Sequence, residues 1–309
     1  MNSPDSLEQN PLFHRILCPV CSGGDLASTL LIAYGDLKKK KYADYSAIGI
    51  SRETLLNVDR CNSCGFVFAN PRIKPEHYSR IYNESKALMY QEAAPDNLAS
   101  LERGPLTRRL IALGPLLGLI RLHEGITKPY FLDIGAGFGH SLSLAHAFGL
   151  EGFGIEIDEQ RIAHCSRLGL NVSTITELDN QHPSVKFDLM VAQSVIEHVA
   201  DLQWFGDLIK RKAKPGCVLY VNGLTPDIID IERRRGEYTN AHFVEHINYF
   251  PIHTVDKFMR ERAFVPIDRT VVTLNGRAVI APKLAHWIVK GFKRLRRQGS
   301  FGRYYRYAP

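Results

Sequence analysis

The chain has 309 residues, of which 45% are hydrophobic and 23% charged, a composition that allows one large folded domain and a smaller one. The first fifteen residues are polar, and the longest apolar stretch, residues 110–120, is too short to span a bilayer and is broken by Gly114 and Pro115. We therefore expect neither a signal peptide nor a membrane span, and we expect a cytoplasmic protein. Of the 39 Lys and Arg, eight lie in residues 282–309, which leaves 31 against 32 acidic residues in a near-neutral body.

Changes of composition and pattern divide the chain into five segments. They are a polar N-terminal segment (1–13), a small cysteine-containing module (14–72), a helical connector (73–128), an α/β domain (129–281) and a basic C-terminal tail (282–309). We see no internal repeat, so each segment is interpreted by itself.

The module carries two CxxC pairs, in the segments CPVC and CNSCG: Cys18 with Cys21, and Cys61 with Cys64. In a chain without a secretion signal, paired thiolates at this spacing favour one tetrahedral zinc ion over disulfides. The 39 residues between the pairs exceed the usual spacing of a zinc ribbon, and a metal-free module is the alternative. Cys165 and Cys217 lie far away in sequence and are predicted to be core thiols.

After the module, PEHYSRIYNES predicts a helix with Pro75 at its start. From residue 130 onward, strand-like segments alternate with helical ones. The strand-like segments are YFLDI, GFGIEI, LNVSTI, FDLMVA, CVLYVN, FVPIDRTVV and RAVIA. This alternation predicts an α/β fold with a Rossmann-like, mostly parallel seven-stranded sheet and helices on both faces.

The first of these strands runs into a glycine-rich turn, YFLDIGAGFGH, with Gly135, Gly137 and Gly139 at alternating positions. A dinucleotide fingerprint needs a further glycine where His140 stands, and no Gly-Lys-Ser/Thr follows for a nucleotide triphosphate. Asp133, two residues before the glycines, suits a cofactor with a cationic amino group and without a pyrophosphate.

In this turn the chain resembles the class I S-adenosylmethionine-dependent methyltransferases. Four further segments resemble that family in the same order: GFGIEIDEQ, FDLMVAQSVIEHV, KAKPGCVLYVN and HINYFPIHTVDKFMRERAF. The resemblance implies S-adenosylmethionine as cofactor, with Glu156 on the ribose hydroxyls and Asp158 as a second candidate. The implied cofactor-binding residues are Asp133, Gly135, Ala136, Gly137, Gly139, Glu156, Ile157 and Gln193.

The segment CNSCGFVFANPRIKPEHYSRIYNE resembles a subfamily in which a four-cysteine zinc module precedes the methyltransferase. Members often belong to bacterial polysaccharide or sugar-modification pathways, which implies O-methylation of a sugar or glycan precursor and structural Zn²⁺. Alternatives are methylation of a quinone-like lipid or another small molecule, methylation of an RNA that the zinc module grips, and a non-catalytic cofactor-binding or docking module. A near-neutral body argues against RNA.

Methylation of a hydroxyl benefits from a general base, and His198 and His246 are the predicted catalytic residues. Alternatively, Glu197 and His198 order their loop. Quinone O-methyltransferases carry a further acid where this chain has Ser194, which argues against a metal-assisted mechanism. The segment HFVEH also matches a zinc-peptidase pattern, and RRR (233–235) is interpreted as a solvated helix face or a phosphate site.

In the tail, apolar residues recur at helical spacing opposite basic ones: Leu284, Trp287, Ile288, Phe292 and Leu295. Such a helix favours packing on the protein's own core or on a second subunit. The alternative is peripheral contact with the inner face of a membrane that carries lipid-linked precursors.

Overall fold

The structure is a computed structural model that describes residues 7, 10–36, 45–46, 49–78, 129–224, 244–267, 273–274, 277–278 and 301–309. The N-terminal part contains strands β1 (Phe13–His14), β2 (Leu26–Ala33), β3 (Leu55–Cys61), β4 (Val67–Ala69) and β5 (Arg72–Ile73), with 3-10 helices at Tyr34–Asp36 and Pro75–His77. Pro75 begins its helix, as predicted, and the rest of the predicted connector beyond Tyr78 lies outside the described residues.

The remaining elements alternate between strands and helices. They are β6 (Tyr130–Ile134), α1 (His140–Ala147), β7 (Glu151–Ile155), α2 (Glu159–Arg167), β8 (Val172–Ser173), α3 (Ile175–Gln181), β9 (Phe187–Ala192), α4 (Leu202–Lys212), β10 (Ala213–Leu224), β11 (Asn248–Tyr249), α5 (Ile252–Arg260), β12 (Phe264–Pro266), β13 (Thr273–Leu274), β14 (Arg277–Ala278) and β15 (Phe301–Tyr307). None of the helices formed by the described residues is both long and apolar enough to cross a membrane.

Seven strands form one sheet in the order β12-β15-β10-β9-β6-β7-β8. The strands from β10 to β8 are parallel, and β15 is antiparallel to both of its neighbours. The predicted mostly parallel Rossmann-like sheet is thereby confirmed.

Side chains that alternate along the strands face two separate apolar layers. On β6, for example, Phe131 packs with residues of α1 and α2, whereas Leu132 packs with residues of α3, α4 and α5. Successive strand residues point to opposite faces, so near-continuous apolar strands require helices on both sides. This confirms the predicted helices on both faces and leaves the ends of the strands free for a site.

The last strand differs from the prediction. RAVIA was expected to complete the sheet, but Arg277–Ala278 pairs with Thr273–Leu274 in a separate two-stranded hairpin. Residues 301–307, which we assigned to a basic amphipathic tail, form β15 inside the sheet instead. The sheet thus includes residues beyond the predicted boundary at 281, while the apolar stripe of residues 284–295 lies outside the described residues.

A charged contact explains how a basic segment enters the sheet. Arg303 donates to both carboxylate oxygens of Asp256 on α5, at 2.5 and 2.6 Å, and the Tyr305 hydroxyl donates to the same carboxylate at 2.9 Å. The bidentate pair compensates the arginine charge, and Tyr305 is fully buried. The pattern of aromatic and basic residues in FGRYYRY hid this strand from sequence analysis.

The module also extends beyond its predicted bounds of 14–72. Phe13 pairs with Ile73, and the four-stranded sheet of the module has the order β11-β4-β3-β2. Its edge strand β11 comes from the second half of the chain. The module and the α/β part therefore share a sheet and a core.

We predict that a chain ending at Ser300 will lose cooperative unfolding, because β15 lies between β10 and β12 and carries the buried Tyr305. Urea unfolding monitored by circular dichroism is the measurement. A chain that lacks only Pro309, which is exposed, is the matched control and should unfold like the full chain. If the chain ending at Ser300 keeps the full transition, the placement of β15 is incorrect.

Candidate functional site

The glycine turn after β6 is tightly enclosed on two sides and open on the third. Gly135, Gly137 and Gly139 have φ angles of +71°, +56° and +75°, which disfavour other residues. A side chain at Gly135 would meet Val195 Cγ2 at 2.6 Å, and one at Gly139 would meet Leu170 Cδ1 at 2.4 Å. Among the residues that the structure describes, nothing lies within 4 Å of the position that a side chain at Gly137 would take, so they leave this part of the turn open to a ligand.

Glu156, at the end of β7, is held against this turn. Its carboxylate accepts hydrogen bonds from the backbone N–H groups of Gly137 and Ile157, both at 2.8 Å, and of Asp158 at 3.2 Å. The carboxylate is buried, and Arg161 lies 3.8 Å from it. A fixed acid beside an open glycine turn can accept hydrogen bonds from the hydroxyls of a ribose.

Asp158, the second sequence candidate, has a different environment. Its carboxylate accepts from the backbone N–H groups of Gln160 and Arg161 and caps the first turn of α2. This capping role accounts for the residue without a ligand. Ile157, by contrast, keeps 74% of its surface exposed directly beside Glu156 and offers an apolar face to a planar ring.

The other predicted cofactor residues lie around the same turn. Asp133 is buried near the end of β6, and Ala136 donates its backbone N–H to the carbonyl of Ile155 at 3.0 Å. Gln193 follows β9 and is half-buried. The sheet thus brings together residues that are separated by 60 positions in the sequence.

A loop after β9 packs on the glycine turn and carries the first predicted histidine. Val195 fills the space above Gly135, and the His198 backbone N–H donates to the Val195 carbonyl at 2.8 Å. Ser194 has a φ of +54°, and its N–H donates to Asn222 Oδ1 at 2.5 Å. Such a left-handed conformation outside glycine is held by its surroundings and often marks a functional site. Asn222 gave no signal in the sequence.

The two predicted catalytic histidines meet in space. The rings of His198 and His246 are 4.5 Å apart between centroids and nearly perpendicular, at 85°. One carboxylate oxygen of Glu197 and one ring nitrogen each of His198 and His246 all lie within 4.8 Å of one another. His242, the other histidine of the HFVEH pattern, and the RRR segment lie outside the described residues.

Burial sets the protonation of this cluster. Desolvation lowers the pKa of His198 to about 4, although a hydrogen bond to the backbone carbonyl of Glu245 opposes the shift. Desolvation also raises the pKa of the Glu197 carboxyl to about 8. Glu197 Oε2 is buried and has no hydrogen-bond partner among the described residues. Near pH 7, His198 is therefore neutral and able to accept a proton, while most Glu197 side chains are protonated.

The four cysteines of the module form a second cluster. Their sulfur atoms all lie within 4.8 Å of one another, with Cys18 and Cys64 at 3.6 Å and Cys21 and Cys61 at 3.5 Å. Four sulfurs around one zinc ion at about 2.3 Å would be separated by about 3.8 Å, so the cluster fits such an ion. The antiparallel pairing of Leu26 with Cys61 brings the two distant pairs together. Cys165 and Cys217 are buried in the core, as predicted.

Two residues near the histidine pair carry no recognisable sequence signal. Tyr45 of the module donates its hydroxyl to Glu245 Oε1, and both side chains are buried. Glu245 directly precedes the predicted catalytic His246, but its burial cannot be recognised in the sequence. Tyr45 and Glu245 are 200 positions apart, so no local pattern predicts their contact.

Comparisons with known proteins agree with this architecture. A family model described as a methyltransferase domain matches residues 106–268. A ubiquinone biosynthesis O-methyltransferase from Paramagnetospirillum magneticum is 32% identical over 108 residues, which cover 32% of this chain and 41% of that enzyme. The match therefore spans less than half of the relative's length.

Two solved structures show a loose similarity. A SAM-dependent methyltransferase from Archaeoglobus fulgidus is 18% identical, with a TM-score of 0.40 over 64% of this chain and 94% of that chain. The 1,6-didemethyltoxoflavin-N1-methyltransferase from Burkholderia thailandensis, with bound S-adenosylhomocysteine, is 14% identical, with a TM-score of 0.45 over 81% of this chain and 99% of that chain. Because the family model covers more than half of the 309 residues, the chain belongs to the methyltransferase-domain family, and the predicted enzyme class is confirmed.

Proposed function

We propose that the chain transfers the methyl group of S-adenosylmethionine to a hydroxyl group of a sugar or glycan precursor. The observation that carries the proposal is the position of the histidine pair. The loop that bears His198 packs through Val195 onto Gly135 of the open glycine turn, so a donor and an acceptor bound at these two places would be neighbours.

The residues around the turn suit the cofactor. Glu156 would bind the ribose hydroxyls of the cofactor, and Ile157 would pack against its adenine ring. The open space at Gly137 would admit its methionine moiety. Bound S-adenosylmethionine supplies an electrophilic methyl group on a sulfonium sulfur. We assign Asp133 to the binding of the cationic amino group of the cofactor's methionine moiety.

The histidine pair suits the acceptor. The hydroxyl oxygen forms a bond to the methyl carbon while the carbon–sulfur bond breaks, and the hydroxyl proton must leave. A neutral imidazole of His198 or His246 can accept that proton as the oxygen becomes acidic during the transfer. Since His198 is a weak base in this site, its role is to receive the proton late, after the bond to carbon has begun to form.

The acceptor class rests on the four-cysteine module, which resembles that of sugar-modifying members of the family. A quinone-like acceptor is the second candidate, because the ubiquinone O-methyltransferase is similar over 108 residues. Quinone O-methyltransferases carry an additional acidic residue at the position where this chain has Ser194. This difference favours a sugar acceptor over a quinone-like one. The acceptor screen therefore includes both classes.

The first test is methyl transfer from radiolabelled S-adenosylmethionine to a panel of nucleotide sugars, lipid-linked sugars and catechol-type quinone precursors. We expect label in a sugar fraction. The Glu156→Gln variant should bind the cofactor more weakly by about 1–3 kcal/mol, a loss of about fivefold to 150-fold in affinity, because a charge-assisted hydrogen bond is lost.

Glu159→Gln is the control for that variant, since Glu159 is exposed at the start of α2. Calorimetry with S-adenosylhomocysteine measures both affinities. Undiminished binding by Glu156→Gln would remove the cofactor assignment, and label found in quinone precursors alone would replace the acceptor class.

We also propose that the cysteine cluster holds one structural zinc ion. Cys61→Ser should lose the metal and expose the module to amide exchange, because zinc fixes both CxxC turns. Metal analysis of purified protein gives the stoichiometry, and Cys217→Ser, which alters a buried thiol elsewhere, should keep the ion. Wild-type protein that takes up no zinc on reconstitution would contradict the assignment.

The buried Glu197 predicts a pH dependence of stability. Its pKa is about 8 in the folded protein and about 4.5 ordinarily, so its contribution is complete below pH 4.5 and is lost as the pH rises through 8. The His198 contribution runs in the opposite direction but is common to both proteins. Relative to Glu197→Gln, wild type should therefore lose free energy of unfolding between pH 5 and 8.

Urea unfolding at pH 5, 6.5 and 8 measures this difference, with Glu159→Gln as the exposed control. Parallel pH curves for wild type and Glu197→Gln would show that Glu197 does not titrate in this range.

A further inference from the structure

A tyrosine of the cysteine module lies inside the packing that surrounds the histidine pair. Tyr45 is buried, packs against Tyr34 with ring centroids 5.6 Å apart, and belongs to the same apolar cluster as Val244, Ile247 and Tyr249. Residues 244–250, here called the acceptor segment, come from the second half of the chain. The apolar core of the module thus packs against the segment that carries His246.

One polar contact within this cluster joins Tyr45 to Glu245. Glu245 keeps only 2% of its surface exposed, and the Tyr45 hydroxyl donates to its Oε1. A carboxyl group in an apolar cluster is unfavourable unless donors satisfy it, so this hydrogen bond stabilises the position of Glu245.

Glu245 in turn is connected to both histidines. Its backbone carbonyl accepts the hydrogen bond of the His198 ring, and the next residue is His246. The Tyr249 hydroxyl donates to the His246 carbonyl at 2.6 Å. A displacement of Glu245 would therefore move the ring partner of His198 and the backbone of His246 together.

Backbone pairing fixes the other end of the acceptor segment. Asn248 and Tyr249 pair with Phe68 and Val67 of β4, and the Ala69 N–H donates to the Ile247 carbonyl at 2.9 Å. On the opposite side, the N–H groups of Ile247 and Asn248 donate to the Glu197 carbonyl at 2.8 and 3.1 Å. The segment thus bridges the module and the loop that bears His198.

We propose that Tyr45 is a positioning residue for the acceptor site, which holds Glu245 and through it sets the geometry of His198 and His246. The role of the histidines rests on the proposed function, whereas the positioning itself is tested without turnover. The module then contributes directly to the acceptor side of the enzyme, in addition to binding metal.

The titration of His198 reports on this positioning. The titratable groups that face its ring are Glu197 and His246, whereas Glu245 contributes its backbone carbonyl and its carboxyl accepts from Tyr45. If Tyr45→Phe loosens Glu245, water reaches the ring and the desolvation that lowers the pKa of His198 is reduced. The midpoint should then rise from about 4 toward the ordinary value of 6.5.

The experiment is a pH titration by ¹H–¹⁵N NMR of the imidazole groups in full-length, histidine-labelled protein. Tyr78→Phe is the matched control, because Tyr78 belongs to the same apolar cluster and its buried hydroxyl has no partner among the described residues. We expect a raised midpoint in Tyr45→Phe alone, with faster amide exchange at Ile247 and Asn248. Titration and exchange indistinguishable from wild type in Tyr45→Phe would overturn the proposal.

A second pair of variants carries the test if Tyr45→Phe does not fold. Glu245→Gln keeps an acceptor oxygen for the Tyr45 hydroxyl and should not raise the His198 midpoint, whereas Glu245→Ala should raise it. Equal midpoints in both variants would contradict the positioning role.

Calorimetry with S-adenosylhomocysteine separates the positioning role from the proposed function. Unchanged affinity is expected in all variants, and absent binding in wild type would contradict the proposed function alone.

Discussion

The backbone carbonyl of Glu197 accepts hydrogen bonds from two successive N–H groups, those of Ile247 and Asn248, and the arrangement of the site depends on this contact. Asn248 also donates from its side chain to the carbonyls of Ile196 and Val199, at 3.0 and 2.7 Å. The loop after β9 is thereby fixed against the acceptor segment, and the same segment forms the edge of the module's sheet. Without these bonds, the two histidines would belong to separate loops of independent conformation.

The contact also explains why the module and the methyltransferase part share a core. Phe66 beside the second CxxC pair packs against Phe250, with ring centroids 4.6 Å apart, and Phe250 packs against Phe258 of α5. Gly65 leaves room for His253, whose Nε2 would lie 3.0 Å from a side chain at that position. A structural metal in the module would therefore act on the site through packed side chains and paired backbone, not through a flexible linker.

The acceptor side of the site contains buried ionisable groups. Glu197 and Glu245 are buried, and His198 is desolvated beside them. Burial raises the pKa of the Glu197 carboxyl and lowers the pKa of His198, so it favours the neutral forms of these two groups. The cofactor side is different, because the Glu156 carboxylate accepts several N–H donors that compensate a negative charge. The carboxyl groups of Glu156 and Glu197 thus lie in different environments, the first among N–H donors and the second desolvated by burial.

The sequence by itself determined features that depend on neighbouring residues. The alternation of apolar strands and helices predicted the sheet and its two covered faces, and the glycine turn with its acid predicted where a cofactor would lie. The spacing within each CxxC pair predicted a thiolate cluster, whose four sulfurs the structure brings together. These features follow from local backbone geometry and from the periodicity of burial, both of which can be recognised in short segments.

Only the tertiary structure decided the partners of distant segments. It placed β15 in the sheet, since the charge of Arg303 is compensated by Asp256, 47 positions away. It paired β11 with β4, which brought Tyr45 to Glu245 and His246 to His198. Strand pairing and compensation of buried charge depend on the free energy of the whole fold, and no short pattern specifies which of many possible partners will meet.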